Sequence, residues 1–245
     1  MEAGEGRRKP LPRVVVGAVG WTHPAWRGGF YPPDLPAGWR LAYYANEFEA
    51  LWVPAAAWGA RPAARAAAWA EALPAGFDLV AALPPEALAA GAALARRAWW
   101  RALERLAPWL RAVVAPAARD RAGEAARACL AARWPVLDAP DANGPGGIWT
   151  WQGGSASGAA VGLLELPDGG RDLRALRAAI EAFLAQLPAG VNDALLFLDA
   201  PGGVPVAALE AAETICRLLG CGSAVDGPSA AADTGAPRRD AAGAR

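Results

Sequence analysis

Short, continuous apolar runs alternate with longer stretches in which apolar residues recur every three or four positions. Residues 13–19 read Arg-Val-Val-Val-Gly-Ala-Val, a β-branched run with the pattern of a strand buried on both faces. Similar runs predict strands at 51–53, 77–83, 112–115, 135–138, 148–151 and 194–199, and 161–166 reads as a strand or an extended loop. Between them the period changes. Over residues 94–110, Trp99, Leu103, Leu106 and Leu110 fall on one helical face until Pro108 interrupts it. Residues 172–187 repeat the pattern with Leu173, Leu176, Ile180, Phe183 and Leu187. Helices are also expected over 39–48, over 61–73 with Pro62 in its first turn, over 120–133 capped by Asp120, and over 204–219. Strands alternating with helices imply β/α units around a parallel sheet. At 245 residues a TIM-like β/α barrel is favoured over a doubly wound sheet.

Composition narrows the class further. One domain is expected over 13–221, between a flexible N-terminal tail (1–12) and a disordered C-terminal tail (222–245), both poor in large apolar side chains. With 24 basic and 24 acidic residues the formal charge is zero, which excludes a uniformly basic nucleic-acid coat. The sequence contains neither a long uncharged apolar span nor a signal-peptide pattern, so no membrane association and a cytoplasmic location are expected. Cys129, Cys216 and Cys221 lack metal or disulfide spacing, and His23 is the only imidazole, which argues against a His/Cys metal site. No cofactor is expected either: a phosphate-loop motif is missing, and the Gly17 to Gly20 turn lacks the third glycine of a dinucleotide fingerprint. The glycine-rich stretch 153–158 reads as a flexible loop or a backbone cradle for an anion.

The densest chemistry follows the first strand. Gly20-Trp-Thr-His-Pro-Ala-Trp-Arg-Gly-Gly-Phe-Tyr-Pro32 holds two tryptophans, a tyrosine, the histidine and an arginine where the active-site loops of a barrel lie. Together with Leu35-Pro and Leu41-Ala-Tyr-Tyr-Ala-Asn-Glu-Phe48, it resembles the N-terminal signature of the YecE-like family, the barrel family labelled domain of unknown function 72. The likeness is specific over 17–48 and thinner through Gly76-Phe-Asp-Leu-Val-Ala, Leu137-Asp-Ala-Pro140 and Leu196-Phe-Leu-Asp-Ala-Pro-Gly-Gly203. The resemblance implies a barrel of unknown biochemical function. It also exposes departures, because polar groups that family members carry at strand ends are replaced here near Trp52 to Trp58, at Ala82, and near Val114 to Ala117. The later Arg-x-His pair of the family falls near Thr150 and Gln152, and its paired asparagines near Leu198 and Asp199. Residues 83–101 are too short for the strand that the family places before its next helix. Seven clear strands are therefore expected, with the fourth lost or degenerate.

The remaining candidate groups are few. His23, Asp138 and Asp199 are the catalytic candidates, and Trp21, Trp26, Arg27, Tyr31, Tyr44, Glu47 and Gln152 the ligand-binding ones. His23 can act as acid or base, or simply donate to a backbone carbonyl. Arg27 can fork onto a phosphate or carboxylate, or stack on Trp26. Asp138 and Asp199 end strands, where they can pair as acid and base, share a metal or cap the next helix. Trp21 and Trp26 can stack a ring or, as such residues more often do, pack beneath the loop.

Charge is also uneven: residues 96–133 hold nine arginines against three acids, and 136–226 hold eleven acids against four arginines. Three readings result. The first is a mouth that binds, or binds and hydrolyses, a small anionic or ring-bearing ligand. The second, favoured by the lost polar groups, is a divergent member kept as a ligand-binding or assembly module with a protein partner. The third, least favoured, is a nucleic-acid-binding barrel that uses the arginine-rich helices.

Overall fold

The computed structural model describes residues 11–89, 93–139, 147–151 and 160–223. The expected tails, apart from 11–12 and 222–223, lie outside the described residues, as do 153–158. Eight strands are present among them: β1 (Arg13–Val19), β2 (Ala50–Val53), β3 (Asp78–Ala82), β4 (Leu110–Ala115), β5 (Val136–Asp138), β6 (Trp149–Thr150), β7 (Val161–Glu165) and β8 (Asp193–Asp199). All seven pairings are parallel, in the order β5-β4-β3-β2-β1-β8-β7-β6. The sheet curls in the manner of a TIM-like barrel, with β1 at its centre and, among the described residues, no pairing between β5 and β6. Six α-helices accompany it among the described residues: α1 (Arg40–Glu47), α2 (Pro62–Ala72), α3 (Ala93–Leu106), α4 (Arg121–Ala131), α5 (Leu173–Gln186) and α6 (Val206–Leu219).

Side chains alternate along each strand, and the alternation separates two cores. Val14, Val16 and Ala18 of β1, Leu51 and Val53 of β2, and Leu196 and Leu198 of β8 face outward and pack in the cluster that contains the helices. Val15, Ala50, Trp52, Val80, Val114, Leu163, Leu195 and Phe197 face the interior. Continuous apolar runs in the sequence thus reflect strands covered on both faces. Trp52 and Phe197 meet edge to face at 5.6 Å inside the sheet. Gly17 makes room for them, since a Cβ there would overlap the Ala50 carbonyl and reach within 3.0 Å of the Phe197 ring. On the outer face Gly162 admits Phe183 of α5, whose ring would lie 2.8 Å from a Cβ.

Seven strands of three residues or more are present among the described residues, together with β6, which has two; the segment read as a strand or an extended loop forms β7. Between β3 and α3 the described residues hold a 3-10 turn at Pro85–Ala87 and no additional strand. Helix α3 stops at Leu106, before Pro108, and Leu110 opens β4 instead of extending the helical face. A proline there breaks the hydrogen-bond ladder, and the freed chain takes its pairing from β3.

Tyr44 of α1 joins the first two strands. Its hydroxyl accepts from the Ala18 amide at 2.9 Å and donates to the Ala50 carbonyl at 2.8 Å, and the whole side chain is buried. At the opposite end of the sheet from the strand C-termini, Glu213 of α6 shares a small cavity with Glu47 and Glu49. Burial, opposed by Arg217 and reinforced by Glu49 and Glu210, pushes its carboxyl up to about 7.

Replacing Tyr44 by Phe strands two buried backbone groups and is expected to lower stability by about 1–3 kcal/mol in urea denaturation. A loss well below this range would mean that the hydroxyl does not join the strands. Glu213 makes a separate prediction. Its unfolded-state carboxyl ionises near 4.5 and its folded-state carboxyl near 7, so folding stability should fall as pH rises between those values. Glu213→Gln should flatten that part of the pH-stability curve, and an unchanged slope would contradict the assignment.

Candidate functional site

The C-terminal ends of the strands form the mouth of the curled sheet. Strand parity decides which of their side chains face inward. On β7, Val161 and Leu163 belong to the interior cluster, so Glu165 continues that face; on β8, Leu195 and Phe197 place Asp199 likewise. Glu165 and Asp199 are also register partners on adjacent parallel strands. Two carboxylates therefore stand side by side above an apolar floor. Asp199 also accepts, through Oδ1, from the Ala200 amide at 2.9 Å. No ion pair neutralises either carboxylate among the described residues.

His23 borders this pair from the loop after β1. Its ring packs against Trp26 with centroids 4.6 Å apart and lies directly on Gly203, whose φ of +104° and missing Cβ leave room for it. Trp26 holds the two loops together, because its Nε1 donates to the Val204 carbonyl at 2.7 Å. Burial pushes the His23 imidazole below its ordinary value, opposed by the backbone of Val19, the Asp199 charge and the backbone of Gly20. A depressed imidazole is neutral at pH 7 and adds no positive charge to the mouth. Its Nε2 is buried and has no hydrogen-bond partner among the described residues.

The aromatic residues of the loop lie beneath it. Trp21 meets Trp69 edge to face at 5.3 Å, and Trp26 stacks on Tyr44 at 5.8 Å. The Tyr31 hydroxyl donates to the Trp21 carbonyl at 2.6 Å, and burial raises the phenols of both Tyr31 and Tyr44. Arg27 is exposed on the loop surface. Glu47 ends α1 and lines the cavity at the other end of the sheet, away from the mouth. Gln152 lies outside the described residues.

Asp138 and Asp199 are not equivalent. Asp138 has the parity opposite to inward-facing Leu137, so it turns toward α4 and pairs with Arg127, which also donates to the Ala115 and Pro116 carbonyls at 3.0 and 2.9 Å. This arrangement ties α4 to β4 and β5 and uses the carboxylate for packing. Glu165 takes the inward place that Asp138 lacks. Sequence reasoning passed over it, although Val161-Gly-Leu-Leu-Glu165 alternates correctly once it is known to be a strand. Among the described residues no group of three or more His, Cys, Asp or Glu side chains is placed to hold a metal ion. No helix among them is long and apolar enough to cross a membrane.

Known proteins place this architecture. The family model described as protein of unknown function DUF72 matches residues 15–120. A DUF72 family protein from Thermotoga maritima is 12% identical, with a TM-score of 0.57, covering 84% of this chain and 99% of its own. A DUF72 family protein from Enterococcus faecalis is 11% identical, with a TM-score of 0.53, covering 83% of this chain and 95% of its own. At these identities the likeness is one of fold. No curated protein matches the sequence. The match to the DUF72 model over residues 15–120 is a match to the YecE-like family that the first loop resembles, a family whose biochemical function is unknown.

Proposed function

We propose that this protein is a ligand-binding barrel whose site is the arc of the mouth formed by β7, β8 and the loop after β1. One observation carries the reading: Glu165 and Asp199 are inward-facing register partners with no cationic partner among the described residues. Paired carboxylates accept hydrogen bonds and attract positive charge, so the ligand class they favour is a small molecule rich in hydroxyl or ammonium donors. This differs from the anionic ligand considered from the sequence. An anion needs fixed positive charge, and here Arg127 is spent on Asp138, while His23 is held neutral by burial. Asp199 and Glu165 take the binding role, and His23 shapes the edge of the site between Trp26 and Gly203.

Binding rather than turnover is the favoured activity. Among the described residues few polar groups line the mouth, and the apolar interior beneath them is filled by Trp52 and Phe197. General acid–base catalysis requires at least two groups positioned on a reacting bond with matched proton affinities.

Calorimetry against a hexose, a linear polyamine and a sugar phosphate tests the ligand class. Binding of one of the first two is expected to weaken at least about tenfold, or about 1.4 kcal/mol, in Glu165→Gln and in Asp199→Asn. Preference for the phosphate, or binding indifferent to both substitutions, would refute the proposal. His23 provides an independent check, because a single imidazole gives one resolvable titration by NMR. Its midpoint should lie below 6.5 and move lower still in Asp199→Asn, since the carboxylate charge favours the imidazolium. An upward shift in that variant would separate His23 from the mouth.

A further inference from the structure

We propose that the groove between α3 and α4 is a second binding site, for a small amphipathic anion: a hydrocarbon chain or ring system carrying one phosphate or carboxylate group. The groove has a volume of about 710 Å³, in the range of small-molecule clefts. Its floor is apolar, with Leu88, Trp99, Leu103 and Leu130 all buried. Helix α3 packs on α2 along its other side, so this flank faces α4 across open space.

The rim is charged in one sense. Arg96, Arg97 and Arg101 line it, and none has an acidic partner among the described residues. The one acid on the lining, Glu104, lies 4.0 Å from Arg133. Three unpaired guanidinium groups beside an apolar cleft complement a ligand that is anionic at one end and apolar along the rest. This gives three of the nine arginines in residues 96–133 a more specific use than nucleic-acid contact does. The nearby aromatics are already engaged: Trp99 meets Trp58 at 5.1 Å, and Trp100 meets Trp134 at 5.1 Å. Base stacking needs free ring faces, and these rings are paired within the protein.

Cys129 offers a local reporter. It is exposed and lines the groove, whereas Cys216 and Cys221 are buried. Decyl phosphate, titrated calorimetrically below its micelle concentration, should bind saturably and slow maleimide alkylation of Cys129 several-fold. The doubly substituted Arg97→Gln, Arg101→Gln protein should bind at least tenfold more weakly, and uncharged decanol should show a similar loss with the unaltered chain. Ala125 is exposed on the lining, so Ala125→Phe should fill the cleft and abolish binding without lowering the melting temperature. Absence of decyl phosphate binding would overturn the proposal, as would binding that survives both sets of substitutions. Binding only to anionic vesicles, an acidic peptide or single-stranded DNA would also overturn it.

Discussion

Everything at the mouth depends on the strict alternation of side chains along strands covered on both faces. A parallel strand has one row of residues against the helices and one row toward the interior, and shifting a residue by one position changes its surroundings completely. Gly17, Trp52 and Phe197 belong to the inner row and fill the interior with aromatic volume around a glycine that cannot carry a Cβ. The same rule separates two aspartates that end their strands. Asp199 faces inward beside Glu165, whereas Asp138 faces α4 and is neutralised by Arg127. Chemistry at the strand ends is therefore a matter of parity before it is a matter of residue type.

The aromatic loop after β1 is best understood as a fastening. Two of its aromatic residues spend their polar atoms on the backbone, the Tyr31 hydroxyl on Trp21 and the Trp26 indole on Val204, and beneath them the Tyr44 hydroxyl of α1 bonds to Ala18 and Ala50. Each of these bonds satisfies a buried donor or acceptor that would otherwise be costly. The Trp26 bond holds the loop after β1 against the loop after β8, while Tyr31 closes the first loop on itself and Tyr44 joins β1 to β2. His23 owes its place to this fastening, pressed between Trp26 and Gly203 where burial keeps it neutral.

Charge is segregated by location in the fold. Carboxylates occupy the inner row at the mouth, and Glu213 shares a cavity with Glu47 and Glu49 at the other end of the sheet. Arginines with no acidic partner among the described residues line the outer groove between α3 and α4. A net charge of zero conceals these opposed surfaces. The local potential at each is set by the nearest unscreened groups and not by the total.

Much of the architecture was legible in the sequence by itself. Buried β-branched runs and the spacing of Trp99, Leu103 and Leu106 mark strands and helices locally, and the segment 17–48 carries the family likeness. These are short-range properties, fixed by backbone preference and by which residues must leave water. Strand length at β6, the end of α3 before Leu110 and the inward placement of Glu165 were not legible, because each depends on pairing with a distant strand. Tertiary structure alone decided that Tyr31 and Tyr44 bond to the backbone, that Glu47 lies away from the mouth and that Asp138 is paired with Arg127. Residue type defines what a side chain can do, but only the packed chain determines which neighbour it meets and whether water can reach it.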